Sequence, residues 1–306
     1  MKKDLISMAD LSAEDVWGLI EEARDLKKGG ASRMLEGRTL ALLFQKPSLR
    51  TRVSFDVGMK QLGGHTVYLS PDEVGMGARE SISDVARVLS RYVDGIVART
   101  FGHAQVVELA QHASIPVING LSDDEHPCQA LTDLFTIYEK KGKLQGVKIA
   151  FVGDGNNMAT SLSMGALLVG SGFTLAAPAG YQLKEPVVSV IKGLASMNGA
   201  RFQMVGDPAE AVAEADVVYT DVWTSMGQEE EAAQRRRDFA GYNVDPGLLS
   251  LAKRDAIFMH PLPAHHGEEI TKEMMEHPQS VVYDQAENRL HLQKAILAQL
   301  LGSPRG

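Results

Sequence analysis

The sequence predicts an α/β protein made of two doubly wound parallel-sheet domains, with a C-terminal helix returning to the first. Three observations carry this. A chain of 306 residues, 44% of them hydrophobic, exceeds what one small core accommodates. Short apolar runs alternate with amphipathic stretches along its whole length. A polar, glycine-containing stretch, Lys140–Gly146, separates two such series. The expected domains are residues 1–142 and 143–286, with residues 287–306 packing back on the first.

The elements follow in order. Ser12 with Asp15 resembles a capping pair, and Val16, Leu19, Ile20, Ala23 and Leu26 fall on one face, which predicts a helix over 12–28. Residues 39–44 are continuously apolar, as in a buried parallel strand. Helical patterns then cover 49–62, 82–92, 104–113 and 129–140, and strand patterns cover 65–69, 95–99 and 115–118. The second half repeats the rhythm. Strands are expected at 147–152, 173–177, 201–205, 217–220 and 256–259, and helices at 158–169, 187–197 and 208–214. A last helix is expected over 287–301. The run from Glu229-Glu230-Glu231 to Arg235-Arg236-Arg237 reads as a solvated, self-paired face.

Composition narrows the function. A formal net charge of −8 disfavours a general affinity for nucleic acid or anionic lipid, so an anionic substrate requires a local cluster of positive charge. The single cysteine, Cys128, excludes an intrachain disulfide and a thiolate metal cluster. It reads as a small buried residue, not as a nucleophile. The start of the chain lacks the apolar run of a secretory signal, and no stretch is long and apolar enough to span a bilayer. The expectation is a cytoplasmic protein without a membrane or nucleic-acid partner.

Two short motifs carry chemistry. Pro47-Ser48-Leu49-Arg50-Thr51-Arg52 follows a buried strand and opens a helix. A helix N-terminus offers outward N–H groups and partial positive charge, to which the hydroxyls and a planar guanidinium add donors that suit phosphate. The same residues also fit a plain Ser48 cap with arginines paired on the surface. Glu125-His126-Pro127-Cys128-Gln129 also precedes a helix, where His126 either donates to a polarised carbonyl or simply caps. Gly153-Asp154-Gly155 after a strand resembles the start of a dinucleotide fingerprint, but Met158 stands where its third glycine belongs.

Taken with their order, the motifs resemble those of the aspartate and ornithine carbamoyltransferases. Phe44-Gln45-Lys46-Pro47-Ser48-Leu49-Arg50-Thr51-Arg52 resembles the carbamoyl phosphate motif, and His126-Pro127-Cys128-Gln129 the second. Asp221-Val222-Trp223-Thr224-Ser225-Met226-Gly227 is similar to the ornithine loop, His260-Pro261-Leu262-Pro263-Ala264 to the late motif, and Asp284-Gln285-Ala286-Glu287-Asn288-Arg289 completes the order. The likeness covers about Leu5 to Leu301.

The resemblance implies that Ser48, Leu49, Arg50 and Thr51 hold the phosphate of carbamoyl phosphate. It implies that Arg99 touches phosphate and carbonyl oxygen, and that His126 and Gln129 bind the carbamoyl end. Leu262 would offer its main-chain carbonyl to the carbamoyl NH₂, and Arg289 would contact carbamoyl phosphate from the far side. Asn157, Asp221, Ser225 and Met226 would hold the α-amino and α-carboxylate end of ornithine. Arg50, Arg99 and His126 are the implied catalytic groups. The resemblance further implies a homotrimer or a multiple of trimers, and a reaction without metal or cofactor.

Two departures stand out. Position 261 is proline, where ornithine enzymes of the family usually carry a cysteine thought to meet the reacting amine. Gly75 falls about where a glutamine or histidine often reaches carbamoyl phosphate. Pro261 is typical of aspartate enzymes, so aspartate competes with ornithine as acceptor, as do putrescine and an N-acylated ornithine. Asp221 and the acidic neighbours Glu229 and Glu230 favour a cationic acceptor over a second carboxylate.

Overall fold

Pro116 ends one loop and Asn119-Gly120 looks like the start of another, yet the chain stays extended through both. The computed structural model, which describes residues 2–29 and 33–302, places a strand at Val117–Leu121 instead of 115–118. The Asn119 side chain is fully buried and donates to the Ile6 carbonyl at 3.0 Å. Gly120 lies so close to the neighbouring strand that a Cβ there would meet Val97 Cγ1 at 2.9 Å. A turn-forming pair thus serves as a strand element, because burial and close approach override its local preference.

The described elements run α1 (Ala13–Lys27), β1 (Thr39–Phe44), α2 (Leu49–Gln61), β2 (His65–Leu69), α3 (Pro71–Val74), α4 (Ile82–Leu89), β3 (Gly95–Arg99), α5 (His103–His112), β4 (Val117–Leu121) and α6 (Pro127–Lys141). There follow β5 (Lys148–Val152), α7 (Asn157–Leu168), β6 (Gly172–Ala176), α8 (Glu185–Asn198), β7 (Phe202–Val205), α9 (Pro208–Val212), β8 (Val217–Thr220), α10 (Ala232–Asp238), α11 (Pro246–Leu249), β9 (Ile257–Met259) and α12 (Val282–Leu301). The expected alternation is present. The short helices α3, α10 and α11 lie outside the predicted set, because their length is too small to show a helical period.

Two compact units result: Met1–Phe135 with Glu287–Gly306, and Thr136–Ala286. The division falls inside α6, earlier than the 142/143 boundary expected from the polar stretch after it. A continuous helix reads as one element in sequence however its two ends are packed.

In the first unit the sheet order is β2-β1-β3-β4, with every pairing parallel. β1 and β3 are central and their residues are almost wholly buried, whereas the edge strand β2 is half exposed. Their apolar continuity follows from helices on both faces. Ser12 and Asp15 form the expected capping box of α1, whose Val16, Leu19, Ile20, Ala23 and Leu26 are buried. α12 crosses α2 at Gly58, where a Cβ would come within 3.3 Å of Lys294 Cγ. The glycine lets the late helix approach the early one closely.

The second unit has the order β7-β6-β5-β8-β9, again all parallel. Its core includes Val152, Val218, Phe258, Ile270 and Met274. In each unit the strand order reverses beside the first strand: between β1 and β3, and between β5 and β8. The carboxyl ends of strands at such reversals are where open α/β sheets bind ligands. Among the described residues no helix is long and apolar enough to cross a membrane.

Candidate active site

At the reversal in the first unit, the loop after β1 turns into α2. Ser48 caps that helix by accepting the Thr51 amide at 3.2 Å. Its capping role therefore coexists with the anion reading, since the remaining first-turn amides still point out of the helix. Arg99 ends β3 at a register shift in the ladder, beside Phe44 of β1. It is 5% exposed, and its Nε has no hydrogen-bond partner among the described residues.

Arg289 enters from α12. Its Nη2 donates to Thr51 Oγ1 at 2.7 Å and its Nη1 to Gln129 Oε1 at 2.5 Å. Gln129 in turn donates to Asp133 Oδ1 at 2.8 Å, so Asp133, unremarked in the sequence, orients the amide. Because Thr51 Oγ1 accepts from Arg289, its own proton is available to point elsewhere. Arg52, by contrast, lies over the Tyr68 ring at 3.7 Å and is not part of this group.

Electrostatics confirm that like charges are gathered. Burial, then Arg289 and Arg50, push the Arg99 guanidinium down to about 10. The same surroundings, with burial again the largest cause, hold the His126 imidazolium well below its ordinary range. His126 is therefore a neutral imidazole at neutral pH, able to donate one N–H without adding charge. Burial lifts the Cys128 thiol to about 12, and its Sγ donates to the Asn119 carbonyl at 3.4 Å. It is a core residue, as expected. Gly75, which falls about where the family often has a glutamine or histidine, has a local reason to be glycine. Gly75 caps α3 at φ 58°, and a Cβ there would lie 2.8 Å from that of Arg79.

At the reversal in the second unit, Asn156 caps α7, accepting the Met158 and Ala159 amides at 2.9 and 3.1 Å. Its Nδ2 donates to Asp221 Oδ2 at 2.8 Å. Asn156, which the sequence did not single out, is thus joined to Asp221, and Asn157, expected beside the acceptor, is the first residue of the helix. Burial raises the Asp221 carboxyl above the ordinary range, against the pull of His260, Asn156 and the Val222 amide.

Ser225 and Gly227 belong to a loop closed on itself. The Ser225 amide donates to Gln228 Oε1 at 3.1 Å, and the Gly227 amide reaches both carboxylate oxygens of Glu229 at 3.0 Å. Met226 is 45% exposed at its tip. Leu262 adopts φ 59°, a left-handed conformation uncommon for a residue with a Cβ. Its amide donates to His260 Nδ1 at 2.9 Å, so the ring proton sits on Nε2 and faces Glu269 Oε1 at 3.1 Å.

His265, Glu268 and Glu269 bring one ligand atom each within 4.8 Å of one another. Glu268 is paired with Arg236 at 2.8 Å, and Glu269 Oε1 accepts from His260 and the His265 amide. Glu268 and the Oε1 atom of Glu269 are thus engaged by protein groups, while Glu269 Oε2 is buried with no hydrogen-bond partner among the described residues. The dinucleotide likeness also fails on packing. The Gly155 amide donates to the Tyr181 carbonyl at 2.7 Å, and a Cβ on Gly155 would strike the 182–183 backbone at 2.6 Å. The chain itself fills the space that a pyrophosphate needs.

Residues 3–139 match the family model described as the aspartate/ornithine carbamoyltransferase carbamoyl-P binding domain, and residues 145–300 match its Asp/Orn binding domain. The ornithine carbamoyltransferase of Anoxybacillus flavithermus is 54% identical over 303 residues, covering 98% of this chain and 96% of that protein. That of Pyrococcus abyssi is 52% identical over 304 residues, with the same coverage. Among solved structures, the ornithine carbamoyltransferase of Pyrococcus furiosus superposes with a TM-score of 0.95 at 51% identity, over 99% of this chain and 98% of that one. The anabolic enzyme of Campylobacter jejuni gives 0.94 at 37% identity, over 98% and 99%.

Proposed function

The chain belongs to the aspartate/ornithine carbamoyltransferase family, and on that footing we propose that it transfers the carbamoyl group of carbamoyl phosphate to the side-chain amine of L-ornithine, giving L-citrulline and phosphate. The single observation that carries the donor half is the gathering of Arg50, Arg99 and Arg289 around Thr51 and a neutral His126.

Carbamoyl phosphate is a small dianion. Its phosphate suits the α2 amides, Ser48, Thr51 and the arginines, which would also stabilise it as it departs. The neutral ornithine amine attacks the carbonyl carbon, and negative charge grows on the carbonyl oxygen. Arg99, the Thr51 hydroxyl and the His126 N–H are the donors suited to that oxygen. Gln129, oriented by Arg289 and Asp133, fits the carbamoyl amide. The Leu262 main-chain carbonyl, held in a left-handed backbone, is an acceptor for the carbamoyl NH₂. The C–O bond to phosphate breaks, and the phosphate takes the proton that the amine loses. The reaction balances without metal or redox chemistry.

For the acceptor, Asp221 and its Asn156 partner suit the α-ammonium of an amino acid, with Asn157, Ser225 and Met226 beside them in sequence. Aspartate would require cations near the Ser225–Gly227 loop, whose neighbours Glu229 and Glu230 are acidic. The relatives described above are ornithine carbamoyltransferases, which supports ornithine as the acceptor. We further take the chain to work in the cytoplasm as a homotrimer or a multiple of trimers.

The test is colorimetric. Purified protein with carbamoyl phosphate and ornithine is expected to form citrulline, while parallel reactions with aspartate and putrescine stay at background. Carbamoylaspartate without citrulline would overturn the acceptor assignment. Light scattering at the mass of one chain would overturn the trimer.

A further inference from the structure

The charged run from Glu229 to Arg237, expected to be a solvated face, contains one residue that is not on the surface. Glu231 and Arg235 do pair along the helix at 2.9 Å, as a self-paired face requires. Yet Arg235 is only 6% exposed, unlike Arg236, whose partner Glu268 lies near the surface. Arg235 Nη1 donates to Asp154 Oδ2 at 2.7 Å and to the Trp223 carbonyl at 2.9 Å. Its guanidinium also lies 5.0 Å from the centre of the Tyr181 ring.

These partners come from three separate loops of the second unit. Asp154 lies in the loop after β5 that leads to Asn156 and Asn157. Trp223 lies after β8, between Asp221 and Ser225. Tyr181 lies after β6. The apolar support is elsewhere: the Trp223 indole stacks on Phe239 at 5.5 Å, and Phe239 meets Tyr181 at 4.8 Å. The aromatic stack holds the side chains, and Arg235 holds the main chain of the acceptor loop.

We propose that Arg235 is a positioning residue for the amino-acid acceptor, its guanidinium tying the Trp223 main chain to Asp154 so that Asp221 and Ser225–Gly227 keep one arrangement relative to Asn156. The proposal rests on the ornithine reading above. A lysine cannot replace the arginine. Its single ammonium keeps the charge but does not span Asp154, the Trp223 carbonyl and Glu231 in a fixed plane. The Asp154 carboxyl is buried as well, at 9% exposure, so it depends on this one guanidinium for a compensating charge.

The experiment uses the full chain and the conservative variant Arg235→Lys, with Asp154→Asn as a second. For Arg235→Lys the ornithine KM should rise about tenfold, the equivalent of one lost charge-assisted hydrogen bond. The carbamoyl phosphate KM and the melting temperature should stay near those of the parent. Asp154→Asn, which keeps the shape and loses the charge, should move the ornithine KM in the same direction by less. Independently of any substrate, Trp223 emission in a Trp17→Phe background should become more accessible to acrylamide in Arg235→Lys. An unmoved ornithine KM, or both KM values rising together, would overturn the proposal. If the parent protein makes no citrulline, the ornithine reading falls by itself. Trp223 quenching then decides: no increase in Arg235→Lys overturns the clamp.

Discussion

The two units place their candidate site residues at the same point of the same architecture, the carboxyl ends of parallel strands where the order reverses, and give them opposite chemistry. In the first unit cations are crowded together. Burial, and then the neighbouring arginines, lower the affinity of Arg99 for its own proton and keep His126 neutral. In the second, an acid is buried: Asp221 is held by Asn156 and its own Val222 amide, with Glu269 adding to the negative field around it. The first arrangement is repulsive until an anion enters, and the second is costly until a cation does. Scaffold position alone therefore says that something binds, while the sign of the gathered charge says what.

The comparison breaks first at Arg50. Arg50→Ala should cut turnover by roughly 10²–10³-fold with the fold intact, the scale of losing a transition-state donor. Near-normal turnover with an unchanged circular dichroism spectrum would remove Arg50 from the donor site. Asp221→Asn should lower kcat/KM for ornithine by about one to two orders of magnitude and leave carbamoyl phosphate binding alone, since a charged hydrogen bond is replaced by a neutral one. Isothermal titration with each substrate separates the two effects, and equal weakening of both would dissolve the division of labour. Arg289→Lys should raise the carbamoyl phosphate KM about tenfold, because an ammonium cannot reach Thr51 and Gln129 in one fork.

Proton linkage offers a milder test. The folded-state pKa of His126 is depressed, so below its ordinary value of 6.5 the unfolded chain binds a proton that the folded chain refuses. Stability should fall as the pH drops through that range, and His126→Gln should flatten this part of the denaturation profile. An NMR titration showing His126 protonating near 6.5 would contradict its neutral role. For Asp221 the folded pKa is raised, so ornithine affinity should weaken as the pH falls into a window above the ordinary carboxylate range. The smallest effect is expected from Pro261→Cys, which adds a titrating thiol where proline offers none. It should shift the pH profile of ornithine turnover while changing the maximal rate little. A profile that does not move would show that position 261 takes no part in proton handling.

Legibility in the sequence differed between the same two regions. Ser48 to Arg52 is contiguous, follows a buried strand and opens a helix, so its local chemistry can be read without any fold. Arg99 required a strand end to be located. Arg289 could not be placed by local pattern at all, because a lone arginine on a helix looks like a surface residue, and only the order of motifs pointed to it. In the second unit the loop Asp221–Gly227 was visible, but its supports were not. Asn156 bonds Asp221, a support that went unread, since the cap position and the first helical residue are indistinguishable in an Asn-Asn pair. Arg235 was hidden in a run of like residues, where burial rather than residue type separates one arginine from its neighbours. The sheets were easier: period and apolar continuity located every strand, and the one marked shift, at β4, came from an Asn-Gly pair that burial turned to another use.

Arg289 has a further consequence for how the molecule comes into being. Thr51 and Gln129 leave the ribosome long before Arg289 does, and α12, which carries it, belongs with the first unit. A chain stalled or clipped before that helix could assemble the central strands, yet it would lack the guanidinium that ties Thr51 to Gln129. Vectorial synthesis normally lets an N-terminal region finish folding first. Here a unit begun early is completed by a helix whose Arg289 is made 160 residues after Gln129, so competence to hold the donor waits on synthesis through α12.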